Sequence, residues 1–372
     1  MNFKIAKKEF LDSLNLVNRA ISSTTPLPSL SGIKISVTEN SLILVASDSN
    51  ISIKTAINNN DTNTLIINDI GEIVIDAKYL LEIVRKIDSD FINVEIIDGT
   101  LIKIYGGNSE FKINGMNVTE YPKINFEIRD NNPFKIQTSV FNQIIDETSF
   151  ACSDSETRPV LTGVNLRAEN NKLFANATDS YRLASKVIEI DSNLYFNITI
   201  PCKYLLEVSH SITNEKEITI AIDQQKISFI YKNTLIQTRL LDDAFPDVSR
   251  LLPSNFTQIL TINSRKLINA IDRTSFIKSD GKNIIKMKIN NEKIEMTSSN
   301  QIGNSYEIIS DIKFEGSPLE ISCSGKYLQD AIKAIGTDDV TIKFSGELKP
   351  MIVQKADDNS LIQLISPVRT YH

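Results

Sequence analysis

The chain has 372 residues, 41 % of them hydrophobic and 23 % charged, with a formal net charge of −6. That length suggests two to four domains of roughly 100–200 residues, and the composition supports packed cores and excludes general disorder. The acidic balance argues against a binder that relies on many phosphate contacts, and no stretch approaches the roughly 18 apolar residues of a membrane span.

In chain order, a short strand from Phe3 leads into an amphipathic helix with Phe10 and Leu14 four apart. Strands are expected over 32–37 and 41–46, joined by a turn containing Glu39 and Asn40. A second helix follows, DAKYLLEIVRKI from Asp76, then strands over 91–97 and 101–105 around the turn Asp98-Gly99. The order then starts again. FKIQTSVFNQII from Phe134 carries Phe141 and Ile145, LTGVNLRAENNKLFANATDS from Leu161 echoes the strand pair at Leu30, and PCKYLLEVSHSI from Pro201 echoes the second helix. A third round runs through LTINSRKLINAI from Leu260, with Leu267 and Ile271, then IIKMKINNEKIEMTSSN from Ile284 and SGKYLQDAIKAI from Ser324. The tripeptide K-Y-L begins at Lys78, Lys203 and Lys326, at intervals of 125 and 123. Three segments repeating in one order imply three homologous domains, 1–126, 127–253 and 254–372, with linkers in the polar, proline-punctuated stretches 126–133 and 252–256. Too few helices occur for βαβ units, so the expected class is α+β, with helices gathered on one side of antiparallel sheet.

On the first K-Y-L helix, Leu80, Ile83, Val84 and Ile87 form the apolar stripe, and Lys78, Glu82, Arg85 and Lys86 lie opposite. The positions of Lys78 and Arg85 are filled by Lys203 and His210 in the second copy and by Lys326 and Lys333 in the third. Seven residues is nearly two turns, so each pair shares one face. One such face alone reads as ordinary solvated surface. Three in an acidic chain would make a basic lining if aimed at a common centre. A domain of this size is roughly 35 Å across, so three touching copies leave a hole of about 5 Å and six leave about 35 Å. B-DNA is roughly 20 Å wide, so two chains could surround duplex and one could not.

Four further motifs carry a resemblance: TRPVLTGVNL from Thr157, NATDSYRLAS from Asn176, LLDDAFPDVSRLLP from Leu240 and LISPVRTY from Leu364. With the triplication, they make the chain similar along its length to the β subunit of bacterial DNA polymerase III, the sliding-clamp family, and especially to its low-GC Gram-positive members. The resemblance implies a head-to-tail dimer of three-domain chains with sheets outside and helices lining the hole. It implies no active site, no cofactor and no metal. Its partners would be duplex DNA, a second copy, and a replicative polymerase, clamp loader and repair proteins bound through short linear peptides.

Carried over residue by residue, the family's peptide pocket comprises Leu161, Thr178, Ser180, Tyr181, Arg182 and Leu183, then Pro246, Arg250 and Leu251, then Ser324, Tyr327, Leu348 and Pro350, and the tail residues Ile365, Ser366, Pro367, Val368 and Arg369. An apolar slot with a few polar groups suits an anchoring Leu or Phe. Leu161, Leu183 and Leu251 read equally as core. Tyr181 stands where many members have His, and Ser324 where some have Asn. For DNA, the resemblance supports Lys78, Arg85, Lys86, Lys203 and Lys326, and adds Arg158, Lys278 and Lys282. Thr24 replaces an Arg found in several clamps. The implied dimer contact sets the strand over 110–113, with Phe111 and Ile113, against the third domain near Phe276 and Ile277, all of which read equally as core.

Other chemistry has poor raw material. His210 and His372 are the only histidines, and no G-x-x-x-x-G-K-[ST] phosphate loop is present. The carboxylates Asp242, Asp243 and Asp247, Asp338 with Asp339, and Asp357 with Asp358 sit in turn-like contexts. They leave a metal-dependent nuclease as a rival reading, with a DNA-independent scaffold as another. Asp48 and Asp179 occupy equivalent positions and are expected to cap turns. Cys152, Cys202 and Cys323 are far apart and form no C-x-x-C pair, which argues against a disulfide framework or zinc site and for a reducing compartment. The start, MNFKIAKKEF, has no apolar signal core, so a cytoplasmic, nucleoid-associated location is expected.

Overall fold

Each K-Y-L segment folds as the second of two helices in an element order that recurs three times. The computed structural model describes every residue except 23, 26, 60–64, 130–131, 191–192, 213–214, 276–282 and 370–372. Among the described residues there are six α-helices: α1 (Lys7–Asn18), α2 (Ala77–Lys86), α3 (Thr138–Thr148), α4 (Cys202–Ser211), α5 (Ser264–Ser275) and α6 (Gly325–Ile335). Each third of the chain runs strand, helix, three strands, a further strand, helix, three strands. Two short strands are extra, Ile66–Asp69 and Lys313–Glu315. All strand pairs are antiparallel, which confirms the expected α+β class.

The residues group into two compact units, Met1–Val140 with Glu207–Leu240, and Phe141–Leu206 with Leu241–His372. The boundary runs through the middle copy for a reason visible in the strand order. Every copy splits its strands into two half-sheets. One holds the first strand and the last three; the other holds the strands between the two helices. In the first unit, the middle copy's first kind joins the first copy's second kind through Thr234–Arg239 against Ile51–Asn58, giving an eight-stranded sheet. In the second unit, the middle copy's second kind joins the third copy's first kind through Arg182–Glu189 against Leu361–Ile365, giving nine strands. A five-stranded sheet ending on Ser109–Asn114 remains in the first unit and a four-stranded sheet ending on Asn304–Ser310 in the second.

The helices pack as their periodicity dictates. In α2, Leu80, Ile83 and Val84 are buried, as is Ile87 just beyond its end, and each such side chain contributes roughly 1.5–3 kcal/mol. Phe10 and Leu14 in α1, Phe141 and Ile145 in α3, and Leu267 and Ile271 in α5 are buried too. Asp76 caps α2 by accepting from the backbone N–H groups of Lys78 and Tyr79, and Ser324 caps α6 through Tyr327 N–H. At the other end of α2, Lys7 Nζ donates to the carbonyls of Arg85 and Ile87 at 3.0 and 2.6 Å, where a cation favours a helix C-terminus.

Asp48 and Asp179 do cap turns. Asp48 Oδ1 accepts from Asn50 and Ile51 N–H, and Asp179 Oδ1 from Tyr181 and Arg182 N–H. Between them Ser49 and Ser180 adopt φ of 80° and 79°, unfavourable for a non-glycine residue. The hydroxyls of Ser47 and Thr178 hold those residues by accepting their N–H. In the third copy Asn300 takes the position, and its Oδ1 accepts from Ile302 and Gly303 N–H.

Candidate functional site

The cationic helix faces are exposed. Lys78, Arg85 and Lys86 on α2, Lys203 and His210 on α4, and Lys326 and Lys333 on α6 all point to solvent. They are not equally available. Glu82 binds Arg85 at 2.7 Å and Lys86 at 3.4 Å, so part of the α2 charge is already neutralised. Glu207 on α4 is taken up by Arg19 at 2.9 Å. Arg158 is exposed at the start of the 3-10 turn Pro159–Thr162. Lys278 and Lys282 lie outside the described residues. Thr24 is exposed.

The expected pocket residues converge within the second unit, and sheet register does most of the work. Arg182 pairs with Ile365, which pairs with Met351; Leu183 pairs with Leu364, which pairs with Ile352. One step past that first row come Tyr181, Ser366 and Pro350, with Ser366 N–H donating to the Tyr181 carbonyl at 2.8 Å. Val368 N–H then donates to the Ser322 carbonyl at 2.8 Å, which runs the tail beside the start of α6, where Ser324 and Tyr327 sit. Leu183 packs with Val248, Ile352 and Leu364, against Phe245 and Leu252. Leu161, Thr178, Leu183 and Ile365 are buried, as the core reading held for Leu161 and Leu183; Leu251, also read as core, is exposed. The open apolar surface comes from Tyr181, Leu251 and Leu348, which are 66, 52 and 63 % exposed. Pro246, Pro350, Pro367 and Val368 are half-buried between these extremes, and Arg250 and Arg369 are exposed at the rim. Arg250 reaches back to Asp247 at 3.4 Å.

Arg182 organises this region. Its guanidinium is buried, with Nε on Asp179 at 3.0 Å and Nη1 on Asp330 of α6 at 2.9 Å. It stacks 4.3 Å from the Tyr327 ring centroid and 5.4 Å from that of Phe150. Burial, and then the Asp179 carboxylate, pushes the Tyr327 phenol above its ordinary value. Nearby, Lys186 forms a buried ion pair with Glu147 at 2.8 Å, and Gln363 donates to the Glu147 carbonyl at 2.9 Å. Sequence reasoning missed Val248, Ile352, Leu364, Phe150, Asp179 and Asp330. Their partners are set by cross-strand register, which no local spacing reveals. A cavity of about 320 Å³ also lies against the segment 245–252, lined by Arg167, Phe174, Val187 and Ile362, but of the expected pocket residues it touches Pro246 alone.

Phe111 and Ile113 lie half-buried on Ser109–Asn114, an edge strand whose alternate residues Glu110, Lys112 and Asn114 are exposed. Phe276 and Ile277 fall outside the described residues. Another edge strand, Asn304–Ser310, was not anticipated and exposes Tyr306 and Ile308. Among the described residues, no three His, Cys, Asp or Glu side chains are grouped to hold a metal ion, and no helix is long and apolar enough to cross a membrane.

Three models of the DNA polymerase III beta subunit match in tandem: its N-terminal domain over 1–125, central domain over 135–247 and C-terminal domain over 249–369. The chain belongs to this family, the bacterial sliding clamps. Among its relatives, the beta sliding clamp of Bacillus subtilis is 35 % identical over 379 residues and that of Staphylococcus epidermidis 37 % over 377, each match covering 100 % of both chains. The fold agrees with the crystal structure of the Bacillus subtilis sliding clamp at a TM-score of 0.94, with 36 % identity over 100 % of both chains. The DNA polymerase III beta chain of Streptococcus pneumoniae gives 0.95 at 32 % identity, covering 99 % of this chain and 100 % of that one. Each matched range contains one K-Y-L helix, so the cationic faces recur once per matched domain of this chain.

Proposed function

We propose that two copies of this clamp subunit close head to tail into a ring around duplex DNA, in the cytoplasm, and that the ring tethers a polymerase without catalysing anything itself. The observation that carries the reading is the pair of unused sheet edges. Inside the chain, the third strand after a copy's first helix pairs with the last strand of the next copy, twice. The same strand of the third copy, Asn304–Ser310, and the last strand of the first copy, Ser109–Asn114, have no such partner within their sheets. A second chain supplies both missing junctions, and a two-fold arrangement satisfies both of these edges in each copy. On this reading the clamp domains are 1–126, 127–253 and 254–372. Their cationic faces, including Lys78, Lys203 and Lys326, line the hole, and the second unit takes short linear peptides from polymerase, clamp loader and repair proteins.

The internal junctions also supply a register. The residue five past the turn acid, Ile53 or Ala184, pairs with Ile236 or Gln363. Ile236 is two past the start of its hairpin's second strand, as Phe111 is in the first copy, and Ser305 is five past Asn300. Phe111 should therefore stand opposite Ser305 of the partner. The protein carrying Phe111→Cys and Ser305→Cys should oxidise to a covalently closed dimer, since opposed Cα atoms about 4.5–5.5 Å apart suit a disulfide. The functional test is retention: the closed ring should stay on nicked circular duplex and be lost when the circle is cut. Equal retention on circle and linear DNA would overturn the topological reading. Removing residues 366–372 should leave the dimer intact and abolish peptide binding; undiminished peptide affinity would refute the pocket assignment.

A further inference from the structure

Two of the three cysteines that the sequence scatters are brought together in the second unit. Cys152 closes the 3-10 turn Ser149–Ala151, and its N–H donates to the Ser149 carbonyl at 3.1 Å. Cys202 is the first residue of α4, and its Sγ donates to that same carbonyl at 3.5 Å. The two thiols lie close enough to perturb each other's ionisation, Cys152 being buried and Cys202 partly open to solvent. Both are free thiols.

The pair is chemically asymmetric. The neighbouring Cys152 thiol holds the Cys202 thiol below its ordinary pKa, which favours its thiolate, while Cys202 and burial push Cys152 up. The thiolate is the nucleophile in thiol oxidation, and partial exposure lets a small oxidant reach it. Cys323 supplies the contrast. It is fully buried, has no thiol neighbour, and burial pushes it up to about 12.

We propose that Cys152 and Cys202 are a redox-active dithiol that takes a hydroperoxide as co-reactant and closes to an intrachain disulfide. The Cys202 thiolate attacks one peroxide oxygen, the O–O bond breaks, and the alcohol or water leaves with the proton, giving a sulfenic acid. Cys152 then attacks the Cys202 sulfur; the S–S bond forms and water leaves. The peroxide gains two electrons and the two thiols lose two. The bond ties two functional surfaces together. Phe150, two residues before Cys152, stacks on Arg182, and Ser153, just after it, donates from its N–H to the Leu161 carbonyl at 2.8 Å. Cys202 is next to the exposed Lys203 on α4.

The test uses the full chain treated with hydrogen peroxide and alkylated in denaturant. The expected result is a mass loss of about 2 Da before alkylation, consistent with disulfide chemistry. One alkylated cysteine, Cys323, and a Cys152–Cys202 linked peptide that dithiothreitol releases should accompany it. Cys152→Ala should stop at a Cys202 sulfenic acid that dimedone traps, and Cys202→Ala should leave Cys152 reduced. Three alkylated thiols after peroxide, or oxidation of Cys202 to the sulfinic acid in the unaltered chain without linkage, would overturn the proposal. So would loss of Cys323 at the same rate. The readout on the unaltered protein stands whether or not either variant folds.

Discussion

The junction between the first and second copies and the junction between the second and third share one backbone register but are dressed differently. At the first, Tyr121 fills the space under its segment, buried with Leu30 and Val74. The positions equivalent to Tyr181 and Leu251 are Asn50 and Glu127, polar and exposed. At the second, Phe245 takes the place of Tyr121 and is only half-buried, while Tyr181, Leu251 and Leu348 leave apolar surface open. The polar contacts follow the same division. Thr55 and Thr234 share a hydroxyl contact of 2.9 Å across the first junction, whereas across the second the buried Arg182 guanidinium binds Asp330 of the next copy at 2.9 Å. Under the proposed function, one frame serves once as plain structure and once as a docking surface, and a handful of side chains makes the difference.

The comparison breaks most severely at Arg182. Arg182→Ala leaves Asp179 and Asp330 facing each other without their cation, so unfolding free energy should fall by about 3–5 kcal/mol, the range for breaking a buried pair. Chemical denaturation measures this. Arg182→Lys should recover little, because an ammonium replaces neither the two-carboxylate fork nor the stack on Tyr327. A loss under about 1 kcal/mol would mean that the network is solvated in practice.

Next comes conversion of the second junction into the first. Tyr181→Asn with Leu251→Glu removes apolar surface that the fold does not need. Affinity for a fluorescent peptide ending in Leu-Phe should drop by about 2–3 kcal/mol, the scale of interface anchors, with the melting temperature nearly unchanged. If affinity survives, the exposed side chains are not the anchors and the pocket lies elsewhere.

A buried phenol gives the filled site a pronounced alkaline pH signature. Burial raises the Tyr121 phenol well above its ordinary value. Folding therefore favours the protonated phenol, so its contribution is complete below the unfolded value of about 10 and is lost as pH rises beyond it. Tyr231 is raised for the same reason. Tyr121→Phe should leave stability at pH 8 little altered and reduce the alkaline slope above pH 10 by about 1 kcal/mol per pH unit, with Tyr231→Phe removing a similar share. An unchanged alkaline slope in Tyr121→Phe would mean the phenol is hydrated in the folded state.

Much of this division was readable beforehand, and the unread part has a common cause. Periodicity found α1 through Phe10 and Leu14 and α2 through Leu80, Ile83 and Val84, because a helix writes its buried face into one continuous segment. Repetition found the three copies and equated Asp48 with Asp179. The pocket positions needed the family motifs, since Arg182, Ile365 and Met351 are neighbours only through sheet register. The Asp330 partner of Arg182, the edge strand Asn304–Ser310 and the meeting of Cys152 with Cys202 left no local trace. Each depends on where separate strands and helices come to rest.

The smallest effect is expected from the helix faces, and its smallness is itself informative. Lys78, Lys203 and Lys326 are exposed, so changing all three to Ala should move stability by no more than about 0.5 kcal/mol each. If the DNA is held by encirclement, the variant should load a few-fold more slowly at low salt, because three phosphate-facing charges are gone. Once on a nicked circle it should dwell as long as the unaltered ring, since escape then requires opening the protein and not breaking phosphate contacts. Filter retention after a competitor chase separates the two steps. A dwell time that shortens in parallel with loading would show that the lysines hold the DNA directly. An acidic chain whose Arg85 and Lys86 already share Glu82 has little other charge on that helix with which to do so.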